Sequence, residues 1–155
     1  MTFEEWVATV PEELTRDPLW RVEVYRLAVF AADLAWPDVS HLSRDRRTWG
    51  LADQLYRSVG SIGANVAEGY SHQSSKDQAR FYEYALGSAR EARGWYYQGR
   101  HILSEQVASH RMKLLTAIAR SLLTIIPAER GYKLREEPET YATDVDALLT
   151  DPPMP

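Results

Sequence analysis

A row of polar side chains in the middle of the chain has the spacing of one face of a helix. Arg57, Ser61, Asn65 and Glu68 follow one another at steps of four, four and three residues. An arginine, an amide and a carboxylate in one row have the chemistry to hold a small polar ligand. The same groups can instead bond to each other and to a neighbouring helix, because buried polar groups are stable only when they are hydrogen-bonded.

The structural interpretation brings in two residues of the next predicted helix, Ser88 and Glu91. Arg57 is expected to pair with Glu91 across the helix interface, while Asn65 and Ser88 bond each other or the main chain. Such a network can fix the register of two helices. We predict a structural polar network that consists of Arg57, Ser61, Asn65, Glu68, Ser88 and Glu91. A small-ligand or enzyme site at Arg57, Asn65 and Glu68 is the alternative.

Other sites of catalytic chemistry are absent or lack the spacing that they require. The chain has no cysteine, which excludes disulfides, thiolate metal sites and cysteine nucleophiles. No glutamate is followed by histidine three residues later, as the di-iron sites of helical bundles require. A serine–histidine–acid triad stays open, but there is no nucleophile elbow and no phosphate-binding loop. We therefore predict a protein that is not an enzyme and that binds no metal and no cofactor.

The helix that carries the polar row also has an apolar row. Its members, at steps of four, four, three and four residues, are Leu51, Leu55, Val59, Ile62 and Val66. Gly60 and Gly63 lie inside this helix, where each glycine costs about 1 kcal/mol relative to alanine. They indicate that another helix backbone approaches closely. We expect the helix to run from about residue 48 to 68 and to end at Gly69.

The residues before this helix predict a short helix and a long one. A capping box at Thr2 and Glu5 predicts a short helix over residues 3–9, in which Trp6 gives the helix an apolar side chain to bury. Asp17 is a good N-cap for the first long helix, which is broadly apolar and is expected to stop near residue 35 because of Pro37. Residues 37–47 then form a charged loop.

Two more long helices follow the polar row. The third is expected from Ser75 to about residue 102, with an inner stripe that consists of Phe81, Ala85, Ser88, Ala92 and Trp95. Four tyrosines lie elsewhere on it: Tyr82, Tyr84, Tyr96 and Tyr97. They are interpreted as packing residues, whereas exposed tyrosines would favour a protein interface. The fourth helix begins after Ser104 and ends or kinks at Pro127.

The chain of 155 residues is predicted to be all-α: an antiparallel, up-down-up-down four-helix bundle over residues 18–127. Residues 1–17 form an N-terminal extension. Residues 128–155 form an acidic, partly ordered tail, with one helical stretch near residues 143–149 and with Tyr132, Tyr141 and Leu148 as its anchors. The N-terminus lacks the pattern of a signal peptide, and no segment is long and apolar enough to span a bilayer, so we expect a cytoplasmic protein without a membrane partner.

The net charge of −4 is unevenly distributed along the sequence. Residues 1–43 and 136–155 carry −5 and −6, whereas residues 44–135 hold 15 Lys or Arg and 8 Asp or Glu and carry +7. A basic body can attract a polyanion even when the whole chain is acidic. The candidate phosphate contacts are Arg44, Arg46, Arg47, Arg90, Arg93, Arg100, Arg111 and Lys113.

Two blocks of sequence also carry a family resemblance. The segments DQLYRSVGSIGANVAEG (residues 53–69) and ALGSARE (residues 85–91) resemble the bacterial four-helix-bundle proteins also called 23S rRNA intervening-sequence proteins. The resemblance covers roughly residues 19–126. It implies an antiparallel four-helix bundle, ring-like homo-oligomers that are often pentamers, and no established enzymatic activity. More distantly, the chain is similar to the accessory variability proteins that partner reverse transcriptases in diversity-generating retroelements.

These observations together predict a non-enzymatic interaction protein that assembles with copies of itself, for which the resemblance implies a pentamer. The apolar first long helix and the tyrosines of the third are the expected subunit contacts. The alternative is an accessory factor that binds RNA or DNA, with a reverse transcriptase as its partner. The acidic tail would then mask the basic body.

Overall fold

The computed structural model describes residues 1–130 and 144–155, and every regular element within them is helical. The four long helices are α3 (Glu23–Leu42), α4 (Trp49–Ser71), α5 (Ser75–Gly99) and α6 (Glu105–Arg130). The short helices are α1 (Phe3–Val7), α2 (Glu12–Thr15) and α7 (Val145–Thr150), and 3-10 turns cover Pro18–Arg21 and Arg46–Thr48. Each long helix packs on the next along the chain, and α3 also packs on α6, which makes a helical bundle around one core.

Helix α3 is displaced and longer than predicted. Asp17 is an N-cap, as expected, but it caps the 3-10 turn, and α3 begins only at Glu23. Pro37 does not end the helix, which continues to Leu42. A proline inside a helix costs about 3 kcal/mol because it removes a hydrogen bond and crowds the preceding turn. The burial of residues after the proline offsets that cost. Asp38 and Leu42 are both fully buried, and a helix that ended at Pro37 would take both out of the core.

Gly69 does not end α4 either, since the helix continues to Ser71. Its role is to allow a close approach between helices. A Cβ atom at this position would lie 2.8 Å from a ring carbon of Tyr82 and 3.1 Å from the Gln78 carbonyl oxygen, both on α5. Gly69 is therefore required by the packing of α4 against α5.

The core face of α5 is rotated from the predicted stripe. Ala85 and Ala92 are fully buried, as expected, but Phe81 and Trp95 are only half-buried. Tyr82 and Tyr96 take the central positions, with exposed fractions of 5% and 1%. The other two tyrosines, Tyr84 and Tyr97, are both 54% exposed. Half of the tyrosines are thus packing residues and half lie on the surface.

The N-terminal extension docks on the bundle through Trp6. The capping box is confirmed: the Glu5 amide donates to Thr2 Oγ1 at 3.1 Å, and the Thr2 amide donates to Glu5 Oε2 at 2.7 Å. Trp6 is 2% exposed and packs its ring 5.1 Å from that of Phe30 on α3. Its indole N–H donates to Asp33 Oδ2 at 2.5 Å. Helix α1 is therefore held by both an apolar and a polar contact.

The C-terminal residues also pack on the bundle. Asp144 caps α7, and Leu148 is buried, as its predicted role as an anchor requires. Tyr132 and Tyr141, the other predicted anchors, lie outside the described residues. A pocket of about 530 Å³ lies between the two ends of the chain and is lined by Thr2, Phe3, Glu4, Asp146, Leu149 and Thr150. Among the described residues, no helix has the length and apolar character needed to cross a membrane.

Candidate functional site

The polar row of α4 forms a hydrogen-bonded bridge to α5 at three of the six predicted residues. Asn65 Nδ2 donates to the Ser61 carbonyl oxygen at 2.9 Å and to Ser61 Oγ at 3.0 Å. Ser88 Oγ lies 3.1 Å from Ser61 Oγ and 3.0 Å from the Tyr84 carbonyl oxygen. All three side chains are half-buried at the interface of the two helices. Ser61, Asn65 and Ser88 thus join α4 to α5.

The other three predicted residues lie apart from this bridge. Arg57 Nε is 3.3 Å from Asp53 Oδ2, one turn earlier on the same helix, in place of the expected pairing with Glu91. Glu68 pairs with His72 at 3.3 Å, and Glu91 accepts a hydrogen bond from the indole of Trp95 at 3.1 Å. The carboxylates of Glu68 and Glu91 and the Arg57–Asp53 pair keep their charges in or near water, so they avoid the desolvation that a buried cross-helix pair would require.

The alternative ligand site requires Arg57, Asn65 and Glu68 to converge on one space. Each of them bonds a different nearby partner: Asp53 and Ser61 on α4 for Arg57 and Asn65, and His72, just past the end of α4, for Glu68. Arg57 and Glu68 also have side chains that are 74% and 59% exposed. The geometry therefore does not gather these groups around a ligand.

A second polar cluster, which the sequence analysis missed, lies inside the bundle. Arg111 of α6 and Asp38 of α3 form an ion pair with Nε–Oδ2 at 2.8 Å and Nη2–Oδ1 at 3.2 Å. Their side chains are 1% and 0% exposed. Two parallel N–H···O bonds match the planar guanidinium to the planar carboxylate. The pair therefore links the first and last long helices in the core.

Tyr96 of α5 completes the carboxylate's contacts. Its hydroxyl donates to Asp38 Oδ2 at 2.8 Å. Burial and the negative charge of Asp38 raise the pKa of the Tyr96 hydroxyl well above its ordinary value, although the Arg111 charge acts in the other direction. Tyr96 therefore stays a hydrogen-bond donor far into the alkaline range.

His110 extends the cluster toward the C-terminus. Its Nδ1 lies 2.9 Å from Arg111 Nη1, and its Nε2 lies 2.7 Å from the Leu148 carbonyl oxygen. Because arginine can only donate, Nδ1 must accept, and the ring is the neutral tautomer with its proton on Nε2. Arg111 Nη2 also donates to the Pro153 carbonyl oxygen at 2.8 Å. Burial and the neighbouring Arg111 lower the pKa of His110.

The sequence does contain a signal for this cluster. On α6, Arg111 lies between Val107 and Leu114, at steps of four and three residues, on the same apolar stripe. On α3, Asp38 follows Leu34 by four residues on the core stripe and was missed because Pro37 was taken as the end of the helix. Opposite charges at core positions of two helices indicate a buried pair.

The predicted phosphate contacts divide by exposure. Arg111 cannot contact a polyanion, because its guanidinium is buried on Asp38. Arg93 is half-buried and donates to Thr116 Oγ1 at 3.1 Å. Arg47 pairs with Asp45 at 2.6 Å, and this pair lowers the pKa of the Asp45 carboxyl to about 2. The exposed cations among the candidates are Arg44, Arg46, Arg47, Arg90 and Lys113, and Arg100 is partly exposed.

Arginines and aromatic rings meet at one end of the bundle. The Arg46 guanidinium lies 5.8 Å from the Trp49 ring centre, and that of Arg100 lies 3.9 Å from the Tyr97 ring centre. Both rings are more than half exposed. These pairs share an end because Gly99 packs against the side chains of Leu42 and Leu51, where α3 ends and α4 begins. We define the basic end as Arg44, Arg46, Arg47, Trp49, Tyr97 and Arg100.

A groove runs between α3 and α4 on the outside of the bundle. It has a volume of about 190 Å³ and is lined by Tyr25, Ala28, Val29, Ala32, Gly60, Gly63, Ala64 and Ala67. Trp36 and Tyr56 lie one turn beyond it on the two helices, with ring centres 5.8 Å apart and exposed fractions of 63% and 45%. We call these ten residues the α3–α4 surface. It is continuous and apolar.

Gly60 lines this groove in open space. A Cβ atom at position 60 would have no atom of another described residue within 4 Å, whereas one at Gly63 would reach ordinary contact with Ala28 of α3, at 3.7 Å. Among the described residues, the helix approach that the two glycines predict is therefore made at Gly63 and not at Gly60.

Comparison with known proteins gives one family. Residues 21–124 match the family model described as 23S rRNA-intervening sequence protein, which covers the four long helices apart from the last residues of α6. The chain matches no curated protein and no solved structure.

Proposed function

The chain belongs to the 23S rRNA-intervening sequence protein family, and we propose that it acts there as a non-enzymatic protein that assembles with copies of itself. The observation that carries the proposal is the α3–α4 surface, an apolar groove flanked by the exposed rings of Trp36 and Tyr56. Exposed aromatic residues beside a continuous apolar surface are typical of protein interfaces.

The helix glycine on this surface supports a second copy as its occupant. Gly60 costs α4 about 1 kcal/mol relative to alanine, and a side chain at this position would meet no atom of the described residues within 4 Å. A helix from a neighbouring molecule that lies in the groove would use the space that a side chain at position 60 would fill.

The arrangement of helices favours a head-to-tail assembly. Short connections between consecutive packed helices, and the contact of Gly63 on α4 with Ala28 on α3, support an up-down-up-down four-helix arrangement. Exposed Tyr84 and half-buried Phe81, with ring centres 5.7 Å apart, then form a second aromatic surface, on α5. Contact between two different surfaces generates rings when the rotation closes. A ring of five, which the family resemblance implies, is our specific expectation.

The non-enzymatic part of the proposal is supported by the polar groups. Asn65 Nδ2 donates to Ser61, and both oxygens of Asp38 accept hydrogen bonds from Arg111 or Tyr96. These bonds give the polar groups a structural role within the described residues.

Light scattering coupled to size-exclusion chromatography tests assembly. The chain at micromolar concentration should have the mass of an oligomer, and Trp36→Glu should shift it toward the monomer. Trp49→Glu is the matched control, because Trp49 is an equally exposed tryptophan (57%) that lies outside the α3–α4 surface. A monomeric wild type, or equal masses for the wild type and Trp36→Glu, would reject the proposal.

A second candidate function, nucleic-acid binding, is favoured by the basic end. Arg46 and Arg100 lie over exposed rings there, and Arg44 is a further cation, itself exposed. Single strands are bound by aromatic side chains that stack on bases and by cations that contact phosphates. An assembled ring would bring several basic ends together. A reverse transcriptase is the partner that the distant resemblance suggests for such a factor.

Affinity for a single-stranded oligonucleotide at 50 and 200 mM salt tests this candidate. Binding should weaken as salt rises, and Trp49→Ala should weaken it further through lost stacking, by about 1–3 kcal/mol. Arg57→Ala serves as the control, since Arg57 is an exposed arginine elsewhere that pairs with Asp53. Absence of binding even at the lower salt concentration rejects this function.

A further inference from the structure

Two adjacent residues of α6 bond main-chain carbonyl groups of the C-terminal residues. His110 Nε2 donates to the Leu148 carbonyl oxygen, and Arg111 Nη2 donates to the Pro153 carbonyl oxygen. The Leu148 side chain is 7% exposed, and Pro152 is buried. We call residues 144–155 the C-terminal segment. It is recognised as a peptide would be, by main-chain carbonyl groups and an apolar anchor.

We propose that His110 and Arg111 form a binding site for the C-terminal segment, and that protonation of His110 releases the segment from the bundle. The site exists only with a neutral imidazole, because Nδ1 must accept a hydrogen bond from Arg111 Nη1 at 2.9 Å. A proton on Nδ1 removes that acceptor and places two cations in contact. The repulsion acts on the same guanidinium that donates to the Pro153 carbonyl.

The other charged groups around His110 do not cancel this effect. Asp38 of α3 favours the protonated ring, but both of its oxygens are already taken by Arg111 and Tyr96. Lys113 of α6 opposes protonation. On the C-terminal segment itself, His110 faces the Leu148 carbonyl, whereas Asp144, Asp146 and Asp151 are exposed. A protonated His110 therefore has to move into water to leave its contact with Arg111.

The direction of the pH effect follows from the two states of the ring. Burial lowers the pKa of His110 while the segment is docked, the hydrogen bond to the Leu148 carbonyl opposes this in part, and Arg111 lowers the pKa further. Release exposes the ring to water, so its pKa rises. The released state therefore binds more protons between the two pKa values, and docking weakens as the pH falls through that interval. The docking equilibrium falls by up to about tenfold for each pH unit in that interval.

The pH range of the experiment is set by the imidazole. Two exposed carboxylates, Glu4 of α1 and Asp146 of α7, line the pocket between the two ends of the chain. Measurements between pH 5.5 and 7.5 span the ordinary titration range of histidine.

A spin label on the full chain tests the proposal. The sequence has no cysteine, so Met154→Cys gives a single attachment site, at an exposed position of the C-terminal segment. Electron paramagnetic resonance separates the mobile label of a released segment from the immobilised label of a docked one. The ratio of mobile to immobile label should rise as the pH falls from 7.5 to 5.5. Leu148→Ala should raise it at pH 7.5.

Two histidine variants decide whether His110 is the group that titrates. His110→Gln keeps a donor for the Leu148 carbonyl but has no proton to gain, so its mobile fraction should not change with pH. His101→Gln, at an exposed position of the loop before α6, should titrate as the wild type does. Circular dichroism shows whether each variant keeps its helices.

The titration of His110 in the wild type, followed by NMR, is a measurement that needs no variant. Its midpoint should coincide with that of segment release. An immobile label throughout the range, release with a different midpoint, or an unchanged pH response in folded His110→Gln would each overturn the proposal.

Discussion

Asp38 and Arg111 are separated by 73 positions in the sequence, yet their side chains form a two-point ion pair in the core. Such a pair is expensive to bury, because both charges leave water, and it is stable only when its remaining groups are also bonded. Tyr96, His110 and the Pro153 carbonyl meet that requirement here. The cluster therefore connects α3, α5, α6 and the C-terminal segment.

Replacing one partner of the pair should be strongly destabilising. Asp38→Ala leaves the Arg111 guanidinium buried without its carboxylate, and we expect a loss of about 3–5 kcal/mol in the free energy of unfolding. Urea unfolding followed by circular dichroism measures this. The double variant Asp38→Leu, Arg111→Met should be considerably more stable than Asp38→Ala. If Asp38→Ala cost less than about 1 kcal/mol, the pair would not have the structural role assigned here.

Stability should fall in alkaline solution because of Tyr96. The raised pKa of its hydroxyl keeps the proton on in the folded state, whereas the unfolded chain loses it near pH 10. The folded state then binds more protons, so the free energy of unfolding decreases as the pH rises above 10. Denaturant midpoints at pH 9, 10 and 11 measure the slope, which Tyr96→Phe should reduce. Tyr25 contributes in the same direction, since burial also raises its pKa; an unchanged slope in Tyr96→Phe would contradict the assignment.

Two glycine-to-alanine substitutions should change stability in opposite directions. Gly69→Ala places a methyl group against the ring of Tyr82 and a main-chain oxygen, and we expect it to cost about 1–3 kcal/mol. Gly94→Ala meets no atom within 4 Å and should stabilise α5 by up to about 1 kcal/mol. Thermal unfolding of both variants measures the difference. Equal effects would show that packing at Gly69 is not tight.

The polar bridge between α4 and α5 should behave as one coupled unit. Ser88→Ala and Asn65→Ala should each cost about 1 kcal/mol, because both remove hydrogen bonds that involve Ser61. A double-mutant cycle should give a coupling energy of at least about 0.5 kcal/mol. Arg57→Ala, outside the bridge, should couple to neither. Additive effects of the two substitutions would mean that the three residues do not form a network.

Local rules predicted where several helices begin but not where α3 and α4 end. Thr2 and Ser104 are caps in the structure as expected, because capping depends on a few adjacent residues. Pro37 and Gly69 were read as ends for the same local reasons. Both residues lie inside helices. Local rules fail here because the burial of residues beyond Pro37 and the approach of α5 to Gly69 depend on distant parts of the chain.

The site could be predicted only in part, for a related reason. Periodicity placed Ser61, Asn65 and Ser88 on facing helices, and they do meet. Arg57 had a partner within its own helix, which a cross-helix argument overlooked. The rotation of α5 decides which of its tyrosines are buried, and it turns Tyr96 inward, where the hydroxyl reaches Asp38. The spacing of residues along one helix does not predict this rotation.

The pocket lined by both α1 and α7 means that these two short helices lie near each other. A short linker could join them, and new ends could be opened in the loop between α4 and α5 or between α5 and α6. Such circular permutants would keep the bundle intact while moving its free ends. Fusion partners could then be attached away from the face where the native ends dock.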